Sequence, residues 1–368
     1  MSTVLALLTT LRGSAAGEGP LRLRRSWPRG DGRLLLEYVD GRGTAVAGQW
    51  HDDARLGEAV ARNTPGATWL AHPGVVLQPA GADRRLPVIA RLLAEPGASL
   101  VVHRPERRAV IRRPGATYTK VVRPSKAAAV LASDRAARGT GAILPELLGV
   151  DLEAGTLEWA ELPGRALHDL LLDAAVPLPE LARAGASTGR ALRSLHSSAP
   201  SAGVAYHDAA AEVEVVTGWR KAALAFASGP PGLDRVIDEA TVLLAEPPSA
   251  PVLVHRDLHE KQVLIDGDRT GLLDLDTLAD GEAAIDLANL LVHLDLRVAL
   301  GQPPERSQAV AAAFLDAYGP TPDVVARIPG YAAATRARLA CVYAFRPAET
   351  AAAAALLAHP AAARTRQG

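Results

Sequence analysis

One segment near the middle of the chain restricts its architecture more than any other. Val252-Leu-Val-His255 is an apolar run, Arg256 to Gln262 is polar, and Val263-Leu-Ile265 is apolar again. Asp266-Gly267-Asp268 then makes a tight turn, and Gly271-Leu-Leu-Asp274-Leu-Asp276 ends an apolar run in carboxylates. Short apolar runs bounded by glycine and aspartate read as strands. Such strands fix the two ends of a loop rigidly. The loop then presents Asp257, Gln262 and Asp274 to one small space.

With 368 residues and an apolar fraction of 48%, the chain has enough for two domains or one large bilobal unit with a real core. The formal charge is zero, so no overall basic field argues for nucleic acid and no acidic one for a polycation. The single cysteine, Cys341, excludes an internal disulfide framework and fits a reducing cytoplasm. It lies in an apolar helical pattern and reads as core. The chain has no apolar run of about twenty residues, so no membrane span is expected. Met1 to Thr10 is apolar without preceding basic residues, which suits a buried first element better than a signal peptide. Ala351 to Ala363, broken by His359 and Pro360, suits a last helix with a frayed tail. Lysine occurs only at Lys120, Lys126, Lys221 and Lys261, so each is worth attention where arginine is the default cation.

Residues 1 to about 95 read as a separate small unit. Leu34 to Tyr38 and Thr44 to Gly48 are strands around the hairpin signal Asp40-Gly41-Arg42-Gly43. Leu86 to Ala94 has helical spacing with proline near its start. Arg22, Arg24, Arg25 and Arg29 form a short basic patch that reads as a solvated face. From Ser99 the pattern becomes a meander: Ser99 to His103, Arg108 to Arg112 and Thr117 to Val122 are strands separated by proline-containing turns. A helix from about Pro124 to Arg138 follows, then two strands bracketing Ala154-Gly155. Beyond Gly164 the chain is helical apart from the central segment, with helices over Leu181 to His196, Glu212 to Ala227, Leu233 to Ala245, Ala283 to Leu300, Gln308 to Tyr318 and Thr335 to Leu357, the last as one helix or two.

The central residues suggest their chemistry. A carboxylate at the end of a buried strand, as Asp257 is, either caps a turn or reaches into a cleft, where it can serve as base for an attacking hydroxyl. The carboxamide of Gln262 can bind magnesium or close the loop by a hydrogen bond. Asp274, flanked by leucines, implies a buried carboxylate that must be paired or bind metal, and hard oxygen ligands suit magnesium. Asp276, two residues on in an extended chain, faces the same side and is either a second ligand or simply exposed. One carboxylate beside an accepting hydroxyl, with oxygen ligands for magnesium on a nucleotide's phosphates, is the set that phosphoryl transfer requires. His255 and His259 raise the question of zinc. The helical zinc-protease pattern needs glutamate after the first histidine, and Arg256 stands there on a strand-like segment. Loop-bracing histidines are the better reading.

His255-Arg-Asp-Leu-His-Glu-Lys-Gln-Val-Leu-Ile265, then Gly271-Leu-Leu-Asp-Leu-Asp276, then Gly281-Glu-Ala-Ala-Ile-Asp286-Leu-Ala-Asn289 together resemble the aminoglycoside phosphotransferase and choline kinase superfamily. The usual pattern there has asparagine at the place of Gln262 and glycine at that of Arg256. The resemblance spans about residues 97 to 350. It implies an α+β, bilobal, protein-kinase-like fold. Residues 1–96 would be a cap-like N-terminal subdomain, 97–164 a small β-rich lobe with its hinge, and 165–368 a helical lobe carrying the catalytic loop and acceptor site. By position it implies Asp257 as catalytic aspartate, Gln262 and Asp274 as magnesium ligands and Asp286 as a brace for the catalytic loop. Lys120 matches the lysine that holds the nucleotide's α/β-phosphates, with Asp134, the only acid in its helix, as partner. The backbone of Ala160 and Leu162 would bond the adenine edge. Cofactors would be ATP (or GTP) and magnesium. The turn His103-Arg-Pro-Glu-Arg107 has no glycine-rich cradle, so phosphate grip would depend on Lys120 and metal.

From Gly281 to Gly368 there are eight arginines and seven acids. A kinase for polycationic antibiotics is expected to line its acceptor site with carboxylates. A small hydroxylated metabolite, a sugar or aminosugar, is favoured instead, the N-terminal unit being similar in placement to the cap of maltokinases. An aminoglycoside resistance kinase and a nucleotide-binding pseudokinase or scaffold remain the alternatives. Neither nucleic acid nor membrane is an expected partner, and a cytoplasmic location is expected.

Overall fold

A computed structural model describes residues 4–11, 19–30, 32–198, 203–227 and 229–358. The chain opens on the helix Val4–Leu8, with Leu5 and Leu8 buried. An antiparallel six-stranded sheet follows, in the order Thr10–Leu11, Leu21–Arg29, Arg33–Val39, Ala45–His51, Val75–Gln78, Thr68–Leu70. The hairpin between the third and fourth strands forms because Asp40 accepts bonds from the backbone N–H groups of Arg42 and Thr44, as a turn aspartate does. Arg33–Val39 is buried at five successive positions, the mark of a strand covered on both faces. On one face Leu34, Leu36 and Tyr38 enter the same apolar core as the late helices. The sheet's other face meets the helix Ala54–Arg62 at the strand Val75–Gln78, where Val60 and Ala61 pack on Val76.

Next comes a five-stranded antiparallel sheet in the order Leu147–Asp151, Thr156–Ala160, Thr117–Val122, Arg108–Arg113, Ser99–Arg104. The helix Pro124–Arg138 packs on it, its proline at the first turn where no N–H is missed. The rest is largely helical. Ala284–Ala299 is buried nearly throughout and forms the axis of this lobe. Leu178–His196 lies close against Pro304–Tyr318, and a Cβ at Gly185 or Gly189 would collide with the backbone carbonyl of Val310 or Phe314. The architecture is thus α+β and bilobal, with a β-rich small lobe, a helical large lobe and an added N-terminal sheet.

Three elements depart from the sequence reading. The late helix begins at Pro322 rather than Thr335 and runs through Pro329 to Ala344. Buried contacts hold it on either side of that proline: Arg327 forms a paired hydrogen bond to Glu282, and the Tyr331 hydroxyl donates to the same carboxylate at 2.7 Å. The strand Leu21–Arg29 carries the basic patch, which is a solvated face only in part: Arg22 and Arg24 are exposed, but Arg24 and Arg25 both bond the buried carboxylate of Glu37. The N-terminal sheet also shares the large lobe's core rather than standing apart from it. The expected first element begins at residue 4 of the described chain, and the tail beyond residue 358 lies outside the described residues. Among the described residues no helix is long and apolar enough to cross a membrane.

Candidate active site

The central segment folds as its pattern requires. Pro251–Val254 is a strand, residues 255–262 are a loop, and Val263–Asp266 pairs with Arg269–Leu272 across the Gly267 turn. The loop is stapled at its start by Asp286, which is wholly buried. Its carboxylate accepts the backbone N–H of His255 and of Arg256, each at 2.7 Å, and pairs with His196 Nε2 at 2.9 Å. Burial would raise its pKa, but His196 and these amides hold it below the usual carboxylate range. The fixed bonds support Arg256 in the left-handed region, φ 67°, a conformation unfavourable to a side chain of that size. His255 Nε2 donates to the Leu273 carbonyl at 2.8 Å. That fixes its tautomer and leaves Nδ1 to accept the Asp257 N–H at 3.4 Å. Asn289 donates to the Leu258 carbonyl at 2.8 Å. The expected bracing role of Asp286 and His255 therefore has a concrete form.

Within this frame the Asp257 carboxylate is half-buried, and among the described residues it accepts no hydrogen bond and joins no ion pair. Gln262 sits where the loop returns: its N–H donates to His259 O, and its carbonyl accepts the Leu273 N–H, both at 2.9 Å. Its side-chain Nε2 lies 3.4 Å from His259 Nε2. Asp274 follows Leu273 directly and is left-handed at φ 56°. A turn of 3₁₀-helix, Leu275–Thr277, comes next. Asp274 and Asp276 do share a side, as expected, but because of this turn and not through an extended chain.

Both carboxylates meet one cation. Lys120 Nζ lies 2.7 Å from Asp274 Oδ1 and 2.7 Å from Asp276 Oδ1. Burial opposes the ammonium charge, yet the two carboxylates outweigh it and raise the Lys120 pKa. Asp274 shows the reverse balance: burial pushes up, while Lys120 and Arg108 hold its carboxyl well below the usual range. Arg108 was not anticipated. Its Nη1 is 3.5 Å from Asp274 Oδ2 and 3.3 Å from Asp276 Oδ2. Strand register offered the signal: Val110 stands opposite Lys120, so Arg108, two residues along, shares the lysine's face of the sheet.

Asp134 does not partner Lys120. Its carboxylate pairs with Arg138 one helical turn on and accepts the Trp159 indole N–H at 2.9 Å. At the hinge, Ala160 N–H donates to Glu146 O at 2.9 Å. Leu162 N–H donates to no backbone carbonyl among the described residues, and the Leu162 side chain covers Gly271.

The histidines of the loop do not form a metal centre around His255, which is committed to backbone. His259, Glu260 and His293 cluster instead, their nitrogen and oxygen atoms within 4.8 Å. Arg297 Nε at 3.3 Å supplies a counter-charge to Glu260, and His168 Nδ1 lies 3.3 Å from the same carboxylate. His168 N–H also donates to the Glu260 carbonyl. The cluster ties the loop to two helices. The Asp274 and Asp276 pair differs in kind, while the Gln262 side chain meets His259 rather than this pair. The pair offers hard oxygens, and its two carboxylates already converge on a cation despite burial, the donor chemistry that magnesium takes.

Residues 86–328 match the model of the phosphotransferase enzyme family, and the chain belongs to that family. It is an ATP-dependent small-molecule kinase, a class that uses ATP with magnesium. The fold agrees. A choline/ethanolamine kinase family protein from Mesorhizobium loti superposes with a TM-score of 0.52 at 18% identity, over 74% of this chain and 94% of that one. The aminoglycoside phosphotransferase APH(3'')-Id from Streptomyces rimosus gives 0.52 at 20% identity, over 69% and 98%. No curated protein matches the chain.

Proposed function

We propose that this kinase transfers the γ-phosphoryl group of ATP (or GTP) to a hydroxyl of a small metabolite, a sugar or aminosugar, with Asp257 as the base. The observation that carries this reading is a half-buried Asp257 carboxylate that has no partner among the described residues, on a loop whose backbone is braced at His255, Arg256 and Asp257. Such a carboxylate accepts the proton of an attacking hydroxyl. As the new oxygen–phosphorus bond forms, the bond from the γ-phosphorus to the bridging oxygen breaks and ADP departs. Gln262 and Asp274 would hold magnesium, with Asp276 beside them; when bound, the ion offsets charge on the phosphates. Lys120 orients the α/β-phosphates once released from its aspartates, and the backbone of Ala160 and Leu162 bonds the adenine edge. The division at 96/97 and 164/165 belongs to the same reading, as does a cytoplasmic location.

The charge around the base bears on the acceptor. Arg256, the neighbour of Asp257 in sequence, feels the charges of Glu212, Asp286 and Arg338, and Glu212 is already paired with His207 at 2.8 Å. That mixture of charges supports a small, weakly charged acceptor over a polycation. The test is magnesium-dependent turnover against a panel of sugars, amino alcohols and aminoglycosides. Transfer to a sugar or aminosugar is expected, with a loss on the order of 10²–10⁴-fold in Asp257→Asn. A variant as active as wild type removes Asp257 from its role. Nucleotide binding without transfer to any acceptor would instead favour a scaffold.

A further inference from the structure

The turn that faces the nucleotide site has an unusual build. Glu106, at its tip, is left-handed with φ 59° and buried. Its carboxylate pairs with Arg33, Arg84 and Arg85, and its N–H donates to Asp83. Asp83 also holds His103 at 3.0 Å. A turn tied at so many points is no flexible glycine flap, and it offers no run of glycine amides to phosphates. It offers guanidinium groups. Arg104 stands opposite Arg108, and Val110 opposite Lys120, so the three cations share one face of the sheet.

The N-terminal sheet supports this face. A bulge after Leu23 shifts the register of Leu21–Arg29, so Arg25 pairs with Glu37 and Trp27 with Leu35, on one side of the sheet. Two guanidinium groups then lie over the Trp27 ring, Arg25 at 4.8 Å and Arg104 at 4.7 Å from its centre. Among the described residues Arg104 has no ion pair, and the buried Nε atoms of Arg104 and Arg108 have no hydrogen-bond partner. Three cations, Lys120, Arg108 and Arg104, thus confront two carboxylates, Asp274 and Asp276. Burial, then the like charges of Arg108, Arg25 and Arg29, pull the Arg104 pKa to about 9. A half-buried surplus of positive charge with open donors is a site for an oxyanion.

We propose that Arg104 and Arg108, backed by Trp27 and Arg25 of the N-terminal sheet, grip the terminal phosphates of the nucleotide in place of a glycine-rich loop. The proposal rests on the phosphoryl-transfer reading for the identity of the anion. Arg108 touches the same two carboxylates as Lys120, so an anion there adjoins the nucleotide's phosphates rather than a remote part of the acceptor. The N-terminal sheet becomes part of the active site on this account.

Calorimetric titration of the full chain with MgATP, inorganic tripolyphosphate and adenosine tests it. Arg104→Gln and Arg108→Gln should each weaken MgATP and tripolyphosphate on the order of 10- to 100-fold and leave adenosine unchanged. Arg104→Lys, which keeps the charge but loses the fork, should fall between. Trp27→Leu should weaken MgATP without touching it. Unchanged MgATP affinity in both glutamine variants overturns the proposal, and so does an equal loss for adenosine, which would mark damage to the fold. The two readings separate cleanly. Turnover that depends on Asp257 with unaltered MgATP binding in the arginine variants defeats the arginine site alone. A wild type that binds tripolyphosphate through these arginines yet transfers to no acceptor supports the arginine site and defeats the transfer reading.

Discussion

Asp286, wholly buried, and Asp274, half-buried, flank the same loop, and both carboxylates are held ionised, yet they are satisfied by different kinds of partner. Asp286 takes two backbone amides and a histidine fixed in turn by the Tyr318 hydroxyl at 2.8 Å. Asp274 takes the tips of a lysine and an arginine that reach across from the small lobe. Backbone amides cannot leave without unfolding the loop. Long side chains can swing away and yield their place to another cation. A carboxylate of the first kind sets geometry, and one of the second kind is, on the reading proposed above, the kind that can exchange its partner for a ligand.

The largest effect should come from breaking the first kind. Asp286→Ala leaves two buried amides and an imidazole without their acceptor, and should destabilise the chain by about 3–5 kcal/mol in urea unfolding. Asp274→Asn should cost clearly less stability while abolishing magnesium-dependent turnover. A reversed order, with Asp274 the costlier to remove, would mean that the ion pair with Lys120 is architecture.

Acid should sharpen the same distinction. The Asp286 pKa in the fold is depressed below its ordinary 3.8. Its stabilising contribution is therefore present above that ordinary value and lost as pH falls through the lower folded value. The gap in urea midpoint between wild type and Asp286→Asn should be widest near pH 7 and narrow steadily below pH ~4. A gap independent of pH would show that the carboxylate's charge contributes nothing.

What the sequence disclosed follows the range of the interactions. The strand–loop–strand segment is local, so Asp257, Gln262 and Asp274 could be placed from spacing alone. Asp286 came from its place in the third motif block, and Lys120 from its place on the third strand of the meander and the scarcity of lysine. Arg104 and Arg108 were missed because their role depends on which face of a sheet they share with Lys120, and that is set by two hairpins. Arg25 depends on a bulge that no composition signals. Asp134 was misplaced for a related reason: it was the only acid on its helix, but a lower-cost partner, Arg138, lies four residues on. The start of the late helix was lost to Pro329, which a helix tolerates there because Arg327 and Tyr331 anchor both flanks in Glu282.

Gln262 lies between the two kinds of partner, and the smallest effect is expected there. Its backbone is locked by His259 and Leu273, whereas its side chain has one long contact, 3.4 Å to a histidine nitrogen. Removal of one methylene draws the carboxamide back by roughly one bond length, about 1.5 Å. If the side chain serves the metal, Gln262→Ala should raise the magnesium concentration needed for half-maximal ADP binding by less than about tenfold, since a single neutral ligand is worth roughly 1 kcal/mol. Gln262→Asn should restore it to within a few-fold of wild type. If alanine leaves the magnesium requirement untouched but lowers the unfolding midpoint, the carboxamide only closes the loop through His259, and Asp274 and Asp276 hold the ion without it.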